Sequence, residues 1–360
     1  MIWAWVIFLA LIFLLLALDL GVFHREAHVV TMREALCWSA VWISLSLAFS
    51  IFIYFGYENR WLEMGNTLDA VDKTYNNGVS AAVKYLTGYI VEISLSMDNL
   101  FVILMIFRYF GVPALYQHRV LFWGILGALV LRGVMIVVGA ALVAEFHWIL
   151  YLFALFLIWA GVKMLLMSDE TVDPEHNYVL RLARRLFPVT VRYHGNHFVV
   201  RAGSSAALER EYPGAPAARD EAAEKALGGT LMLTPLALAL IVVETTDVVF
   251  AVDSIPAIFA ITADPNLVFT SNVFAILGLR SLFFALANLM DKFRYLKVSL
   301  ALVLVLVGAK MLVADWFRDL MGAKFNFYLL GMVVLILAAG VVASLLAGPR
   351  EEHPAAEGQG

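Results

Sequence analysis

The residues that could carry chemistry lie inside strongly apolar stretches of the chain. Residues 241–261 read IVVETTDVVFAVDSIPAIFAI, and their polar members are Glu244, Asp247, Asp253, Thr245, Thr246 and Ser254. A carboxylate at the centre of a bilayer costs a few kcal/mol, so these acids must face one another, a cavity or a cation. Carboxylate and hydroxyl oxygens are the ligands of hard divalent cations such as Mn²⁺ and Ca²⁺. The pattern therefore predicts part of a cation pathway.

A second acidic motif lies at residues 92–99, which read EISLSMDN. On a regular helix Glu92, Ser96 and Asn99 share one stripe, whereas Asp98 lies about 120° away from Glu92. We therefore expect either that the two acids belong to different clusters or that the helix is distorted between them.

Pro256 raises the same question for the stretch 241–261. Glu244 and Asp247 share one helix face, but Asp253 lies half a turn round and about 13 Å further along a straight helix than Glu244. Proline has no N–H, so Pro256 would leave the carbonyl of Val252 without its helical partner and could kink the helix. Such a carbonyl is a cation ligand in broken-helix transporters, although a proline can also merely bend a helix. Either the segment breaks near Pro256 or two sites lie in series.

Two arginines stand near the centres of apolar stretches. We expect Arg132 and Arg280 to pair with the acids, which offsets the cost of burying both charges. They could also act as tethered counter-charges that hold the carboxylates when no ion is bound. Five carboxylates against two arginines leave an excess of acid that a network for helix packing would not need, and ion or proton transport explains it better.

The composition indicates that membrane-spanning helices must position these residues. The 360-residue chain is 62% hydrophobic and only 15% charged, which is typical of a polytopic membrane protein. A net charge of −4 gives no reason to expect nucleic acid, and the single Cys37 excludes an internal disulfide framework and a thiolate metal cluster. Apolar runs predict nine membrane spans, at about 2–20, 36–55, 84–107, 119–143, 147–167, 231–262, 267–290, 295–314 and 325–347.

An internal repeat organises the spans. Leu131-Arg132 and Gly161-Val-Lys-Met164 in one set of three spans correspond to Leu279-Arg280 and Gly308-Ala-Lys-Met311 in another. Because three is an odd number, the two sets must have opposite orientations, which is the inverted-repeat plan of many secondary transporters. The distribution of Lys and Arg predicts that the N-terminus lies outside and the C-terminus in the cytoplasm. We expect the membrane to be the inner (plasma) membrane of the cell.

We therefore expect an all-α polytopic membrane protein divided into six parts. They are an N-terminal transmembrane pair (1–60), a first three-helix repeat (84–167), a cytoplasmic insert with a possible β-hairpin turning at Gly195-Asn196 (168–230), a second three-helix repeat (231–314), a C-terminal transmembrane helix (325–347) and a disordered tail (348–360).

Two motifs carry a family resemblance. Glu244–Ala257 (ETTDVVFAVDSIPA) and Ser271–Ser281 (SNVFAILGLRS) resemble the TerC/Alx family of membrane proteins, and residues 92–99 match the first acidic motif of that family. The resemblance implies a LysE-superfamily-like helical protein, associated with tellurium resistance by name and with manganese export by its better-understood members. The family's acidic motif positions are Glu92, Asp98, Asn99, Glu244, Asp247, Asp253 and Ser254. A pocket of carboxylates should repel tellurite, which is an oxyanion.

These observations predict an exporter of divalent cations, with Mn²⁺ as the leading candidate and protons as the coupling ion. Glu92, Asp98, Asp247 and Asp253 would coordinate the ion, and Glu244 would bind it or carry protons. We expect no permanently bound cofactor and no enzymatic activity. A Ca²⁺/H⁺ exchanger is one alternative, because carboxylates suit both cations. Another is an accessory protein that binds the secretion machinery and supports the metalation or insertion of secreted proteins.

Overall fold

The computed structural model describes residues 2–18, 30–166, 178–190, 193–201, 230–287, 295–321 and 325–347. The predicted disordered tail and most of the predicted insert lie outside these residues. Ten helices make up nearly all of the described part of the chain. They are α1 (Ile2–Leu18), α2 (Met32–Glu58), α3 (Gly78–Phe110), α4 (Ala114–Glu145), α5 (Ile149–Leu166), α6 (Tyr178–Leu186), α7 (Pro235–Phe259), α8 (Pro265–Ala287), α9 (Leu296–Met321) and α10 (Phe325–Ala347).

Eight of the described helices, α2–α5 and α7–α10, are long and apolar enough to cross a membrane. The helix α1 is also apolar, but its 17 residues make it the shortest of the predicted spans. An all-α polytopic membrane protein is therefore confirmed, with eight of the nine predicted spans found at full length.

Local sequence signals set the ends of the helices that carry the acidic motifs. Thr234 caps α7 by accepting a hydrogen bond from the Ala237 N–H at 3.3 Å, and Pro235 takes the first helical position, where no N–H is needed. Asn77 caps α3 in the same way, and Gly111 ends it with a φ of 66°, a conformation that glycine adopts without strain. These caps fix where the acids of each helix lie relative to the bundle.

The two three-helix units pack in an arrangement that is unchanged when the units are exchanged. The first helix of each unit packs against the second helix of the other, so that α3 lies on α8 and α7 lies on α4. The third helices, α5 and α9, pack against each other, while α3 also contacts α7 and α4 also contacts α8. An inverted repeat requires this exchange symmetry.

The glycines that mark the repeat lie at the crossing of α5 and α9. A Cβ on Gly161 would come within 2.7 Å of the Ala301 carbonyl oxygen, and one on Gly308 within 2.8 Å of the Ala154 carbonyl oxygen. In each helix, the contacted alanine lies seven residues before the glycine of the same helix: Ala154 before Gly161, and Ala301 before Gly308. Each glycine therefore allows the partner backbone to approach closely at equivalent positions.

The remaining membrane helices flank this pair of units. The helix α2 packs on α3 and α8, and α10 packs on α9 and α3. Phe8 of α1 and Phe49 of α2 join the hydrophobic core around Phe274 of α8, and the ring centroids of Phe49 and Phe274 are 4.6 Å apart.

Two short antiparallel strand pairs lie at opposite ends of the helices, one of them formed by β1 (Leu68–Asp69) and β2 (Thr74–Tyr75). In the insert, Gly195 adopts a φ of 56° at the predicted turn. However, β3 (Val199–Arg201) pairs with β4 (Leu231–Leu233) and not with the segment before the turn, of which residues 191 and 192 lie outside the described part. The buried side chains of Val200 and Met232 face each other in this pair, so the strand joins the insert to the start of α7.

Candidate functional site

Arg132 lies at the centre of the bundle, where four membrane helices meet. Its side chain is 1% exposed and forms ion pairs with Glu92 of α3 and, through Nη2 at 3.2 Å, with Oδ1 of Asp247 on α7. Its Nη1 also donates a hydrogen bond of 3.4 Å to Oδ1 of Asn272 on α8. Carboxylates from the first helix of each unit thus converge on one guanidinium.

The face of α7 that carries Glu244 and Asp247 packs on α4. Glu244 lies one helical turn before Asp247, and its carboxylate lies against Gly127, where an added Cβ would overlap it. Asp247 meets Arg132, five residues further along α4. Glu244 and Asp247 therefore share one face, as their spacing predicts. Three carboxylates stand near one arginine, which leaves the group two negative charges in excess when all of them are ionised.

Hydroxyl and amide side chains supply further oxygens on the two acidic helices, α3 and α7. Ser96 and Asn99 of α3 are buried, as is Ser254 of α7. Within the described part of the chain, Oγ of Ser96, Oγ of Ser254 and Oδ2 of Asp247 are buried without a hydrogen-bond partner. Buried oxygens in this state are uncommon because they cost free energy unless a ligand or water satisfies them.

The two predicted threonines use their hydroxyl hydrogens within their own helix. Thr246 Oγ1 donates to the Val242 carbonyl at 2.6 Å, and Thr245 Oγ1 donates to the Ile241 carbonyl at 2.9 Å. Only the lone pairs of these oxygens could then contact an ion.

Asp98 and Asp253 are not among the ion-pair partners of Arg132, which in the described part of the chain are Glu92 and Asp247. The helix α7 continues through Pro256 to Phe259, so no break before the proline brings Asp253 back. Asp253 is therefore about 9 Å beyond Asp247 along the helix. Of the two alternatives left by the sequence, a break at Pro256 is wrong. Asp98 is half-buried and lies the same distance beyond Glu92 on α3.

Arg280, the repeat counterpart of Arg132, has different surroundings. Its side chain is 5% exposed and lines a small cavity with Trp38 and Trp42 of α2. The two arginines thus occupy equivalent positions in sequence but have different neighbours: Arg132 bridges the two acidic helices, whereas Arg280 lies against tryptophans of α2.

A second buried polar cluster lies at one end of the bundle, around Lys84 near the start of α3. Lys84 Nζ lies 2.8 Å from Asp69 Oδ2 and 2.7 Å from Asp72 Oδ2, and donates to Asn76 Oδ1 at 2.7 Å. Lys310 of α9 lies 3.8 Å from Asp72 Oδ1 and donates to the Ala260 carbonyl at 3.0 Å.

This cluster fastens the segment before α3 to the connection between α7 and α8. Asp69 accepts hydrogen bonds from the Thr262 hydroxyl at 2.5 Å and from the Ala263 N–H at 3.0 Å. Burial alone would raise the pKa of Asp69, but the adjacent Lys84 ammonium and the hydrogen bonds from Lys84, Thr262 and Ala263 together hold that pKa below its ordinary value. Burial raises the pKa of Asp264, whose carboxylate accepts a hydrogen bond from the Tyr57 hydroxyl.

Sequence reasoning missed this cluster, because the acids of residues 56–83 lie between predicted membrane spans and not within one. The signal that could have found it was the coincidence of Asp69 and Asp72 with Lys84, which lies within the first two turns of a predicted span.

No group of three or more His, Cys, Asp or Glu side chains in the described part of the chain has the arrangement of a preformed metal site. Around Arg132 the reason is physical, since the guanidinium occupies the space between the carboxylates that a cation would need. Any ion held by Glu92 and Asp247 must therefore take the place of the arginine side chain.

Comparisons with known proteins agree with the architecture. A model of the integral membrane protein TerC family matches residues 77–352. An uncharacterized membrane protein of Myxococcus xanthus, STKORF319, is 44% identical over 95% of this chain and 92% of its own length. Proteins named as proposed membrane-bound redox modulators, Alx, are 41% identical in Photorhabdus laumondii, over 95% of this chain and 94% of that protein, and in Escherichia coli K12, over 87% of each. None of the solved structures matches this chain.

Proposed function

The chain belongs to the integral membrane protein TerC family, and we propose that it exports divalent cations, foremost Mn²⁺, across the inner membrane of the cell. The observation that carries this proposal is the convergence of Glu92 and Asp247, from the first helices of the two units, on Arg132 within the membrane-spanning bundle. Secondary transporters built from inverted repeats bind their substrates at such an interface.

The charge balance of the site favours a cation over an anion. Glu92, Asp247 and the neighbouring Glu244 outnumber the one arginine among them, and an anion such as tellurite would meet repulsion there. A divalent cation would instead neutralise the excess. All of the side chains that could contact it, including Ser96 and Asn99, offer oxygen atoms, which suit hard cations.

We propose that the Arg132 guanidinium and the cation take turns in occupying the space between the carboxylates of Glu92 and Asp247. With no ion bound, the guanidinium compensates Glu92 and Asp247, and a buried acid without a partner would be costly. When a cation enters, the arginine side chain moves away and the carboxylates bind the ion in its place. The arginine thereby acts as the tethered counter-charge of the empty transporter, which lets it change conformation without a bound ion.

Asp253 with Ser254, and Asp98, would then serve as separate positions along the pathway. Asp253 lies about 9 Å from Asp247 along α7, which fits two ion positions in series better than one shared site. Glu244 is half-buried against Gly127 and is the candidate proton carrier, because it lies beside the ion pairs without belonging to them.

The orientation of the spans rests on the basic residues of the connections, which put the N-terminus outside and the C-terminus in the cytoplasm. The contacts between loops support the relative directions. Lys310 in the second half of α9 and Asn326 at the start of α10 both contact Asp72, which lies between α2 and α3. All of these positions belong to one side of the membrane in the predicted topology.

A redox role, which the names of some relatives suggest, is not favoured by the cysteine content. The chain has a single cysteine, Cys37, so it cannot form an internal dithiol–disulfide pair.

Transport of Mn²⁺ into proteoliposomes tests the proposal. Purified protein should carry Mn²⁺ across the membrane, and Glu92→Gln should lower the initial rate by about tenfold or more, because one charged ligand is lost. The matched control is Glu145→Gln, since Glu145 is exposed at the end of α4. A Glu92→Gln protein that carries Mn²⁺ as fast as the control would refute the site. Competition by Ca²⁺ in the same assay ranks the two cations.

A further inference from the structure

The helix α6 follows α5 at the end of the bundle that carries the insert. Leu180 and Ala183 are its buried residues, with 1% and 8% exposure. The helix α6 packs on the membrane-spanning α7, and Leu180 belongs to the same hydrophobic cluster as Leu236, in the first turn of α7. The short helix is therefore held level with the end of a transmembrane helix, at the height of a membrane surface.

The rest of α6 presents two further faces of different chemistry. At about 100° per residue, its exposed apolar side chains form one continuous face. These are Tyr178, Val179, Leu182 and Leu186, with 82%, 45%, 54% and 65% exposure. The three arginines of the sequence YVLRLARRL, Arg181, Arg184 and Arg185, form the third face, and residues 178–192 contain no acid to balance them.

We infer that α6 lies in the membrane surface and binds anionic lipid headgroups. An exposed apolar face beside an arginine face, at the level where a spanning helix begins, matches the interfacial helices that bury apolar side chains at the boundary of headgroups and acyl chains. Guanidinium groups bind phosphate oxygens in pairs. A soluble partner would have to displace lipid from this apolar face, so the position of the helix favours the bilayer as its partner.

Spin labels test the depth of the two faces. In a Cys37→Ser background, Leu182→Cys and Arg184→Cys each provide a single labelling site, and electron paramagnetic resonance compares their collision with oxygen and with a water-soluble nickel chelate in lipid nanodiscs. The label at 182 should collide mainly with oxygen, and the label at 184 mainly with nickel. If the label at 182 is as accessible to nickel as the label at 184, in nanodiscs with anionic lipid, the helix does not lie in the membrane and the inference fails.

Retention of anionic lipid tests whether the arginines of α6 bind lipid headgroups. Arg184→Gln/Arg185→Gln should retain less phosphatidylglycerol than wild type from mixed phosphatidylglycerol–phosphatidylcholine bilayers, by about fivefold for each arginine, as measured by native mass spectrometry. The control is Arg33→Gln/Arg108→Gln, which removes the same charge from exposed ends of α2 and α3. Two results would overturn specific binding of lipid by α6. One is that the double variant of α6 retains as much phosphatidylglycerol as wild type, and the other is that the two double variants lose it equally. Both assays are independent of cation transport.

Discussion

Replacing Arg132 with methionine isolates the contribution of the central ion pairs. The substitution keeps an unbranched apolar side chain in place, but it leaves Glu92, which is 1% exposed, and Asp247 without their buried counter-charge. At the 3.2 Å separation of Arg132 and Asp247, an effective dielectric constant of about 20 gives an attraction of about 5 kcal/mol. Part of this is offset by desolvation, so we expect Arg132→Met to lower the free energy of unfolding by about 3–5 kcal/mol.

The double variant Arg132→Met/Glu92→Gln makes the prediction specific. Removing the glutamate charge as well should recover part of the lost stability, because fewer carboxylates are then buried without a partner. Unfolding in mixed detergent micelles of increasing sodium dodecyl sulfate content, followed by circular dichroism, compares wild type with the single and double variants. Mn²⁺ should also stabilise Arg132→Met, since a bound cation can replace the missing charge.

Two results would refute this reasoning. One is an Arg132→Met protein as stable as wild type, which would mean that the guanidinium does not compensate the acids. The other is a double variant that unfolds with a lower free energy than Arg132→Met, so that removing the Glu92 charge recovers no stability. This would mean that Glu92 carries no uncompensated charge in the single variant.

Other predictions concern the second cluster and the packing of α7 on α4. Lys84→Met should lower the free energy of unfolding by about 3–5 kcal/mol, because it removes the ammonium group that pairs with the buried Asp69; Asp69→Asn in the same background should recover part of the loss. The pKa of Asp69 is lowered from its ordinary value of 3.8, so its ionised form stabilises the folded chain at pH values above about 4. This stabilisation should be lost as the pH falls below about 4, and the loss should be smaller in Lys84→Met. Gly127→Ala should displace the Glu244 carboxylate and slow Mn²⁺ transport, whereas Gly133→Ala, whose Cβ meets its nearest neighbour at 3.4 Å, should not.

The sequence could predict the helices and the central acids because both depend on local patterns. Long apolar runs gave the spans, and the recurrence of Leu-Arg and Gly-x-Lys-Met identified the two units that pack symmetrically in the structure. The shared face of Glu244 and Asp247 followed from helical spacing alone. Their contact with the same helix, α4, is a consequence of how the units interlock.

What the sequence could not predict depends on contacts between distant segments. Asp69, Asp72 and Lys84 are close in sequence. However, Thr262, which donates to Asp69, and Lys310, which lies beside Asp72, come from the second unit, and no local pattern joins them. The strand at Val199–Arg201 finds its partner at Leu231–Leu233, beyond a long stretch of the insert, in place of a local hairpin. Pro256 does not break α7, because it lies in the last turn, where the helix is about to end at Phe259.

If a cation takes the place of Arg132 between the acids of α3 and α7, the purified protein should bind Mn²⁺ there, and electron paramagnetic resonance detects the bound ion. We predict that Asp247→Asn abolishes the signal of bound Mn²⁺, while Asp264→Asn, the same change in the second cluster, retains it. Mn²⁺ that binds Asp247→Asn as tightly as wild type but fails to bind Asp264→Asn would contradict the account and move the cation site to the cluster around Lys84.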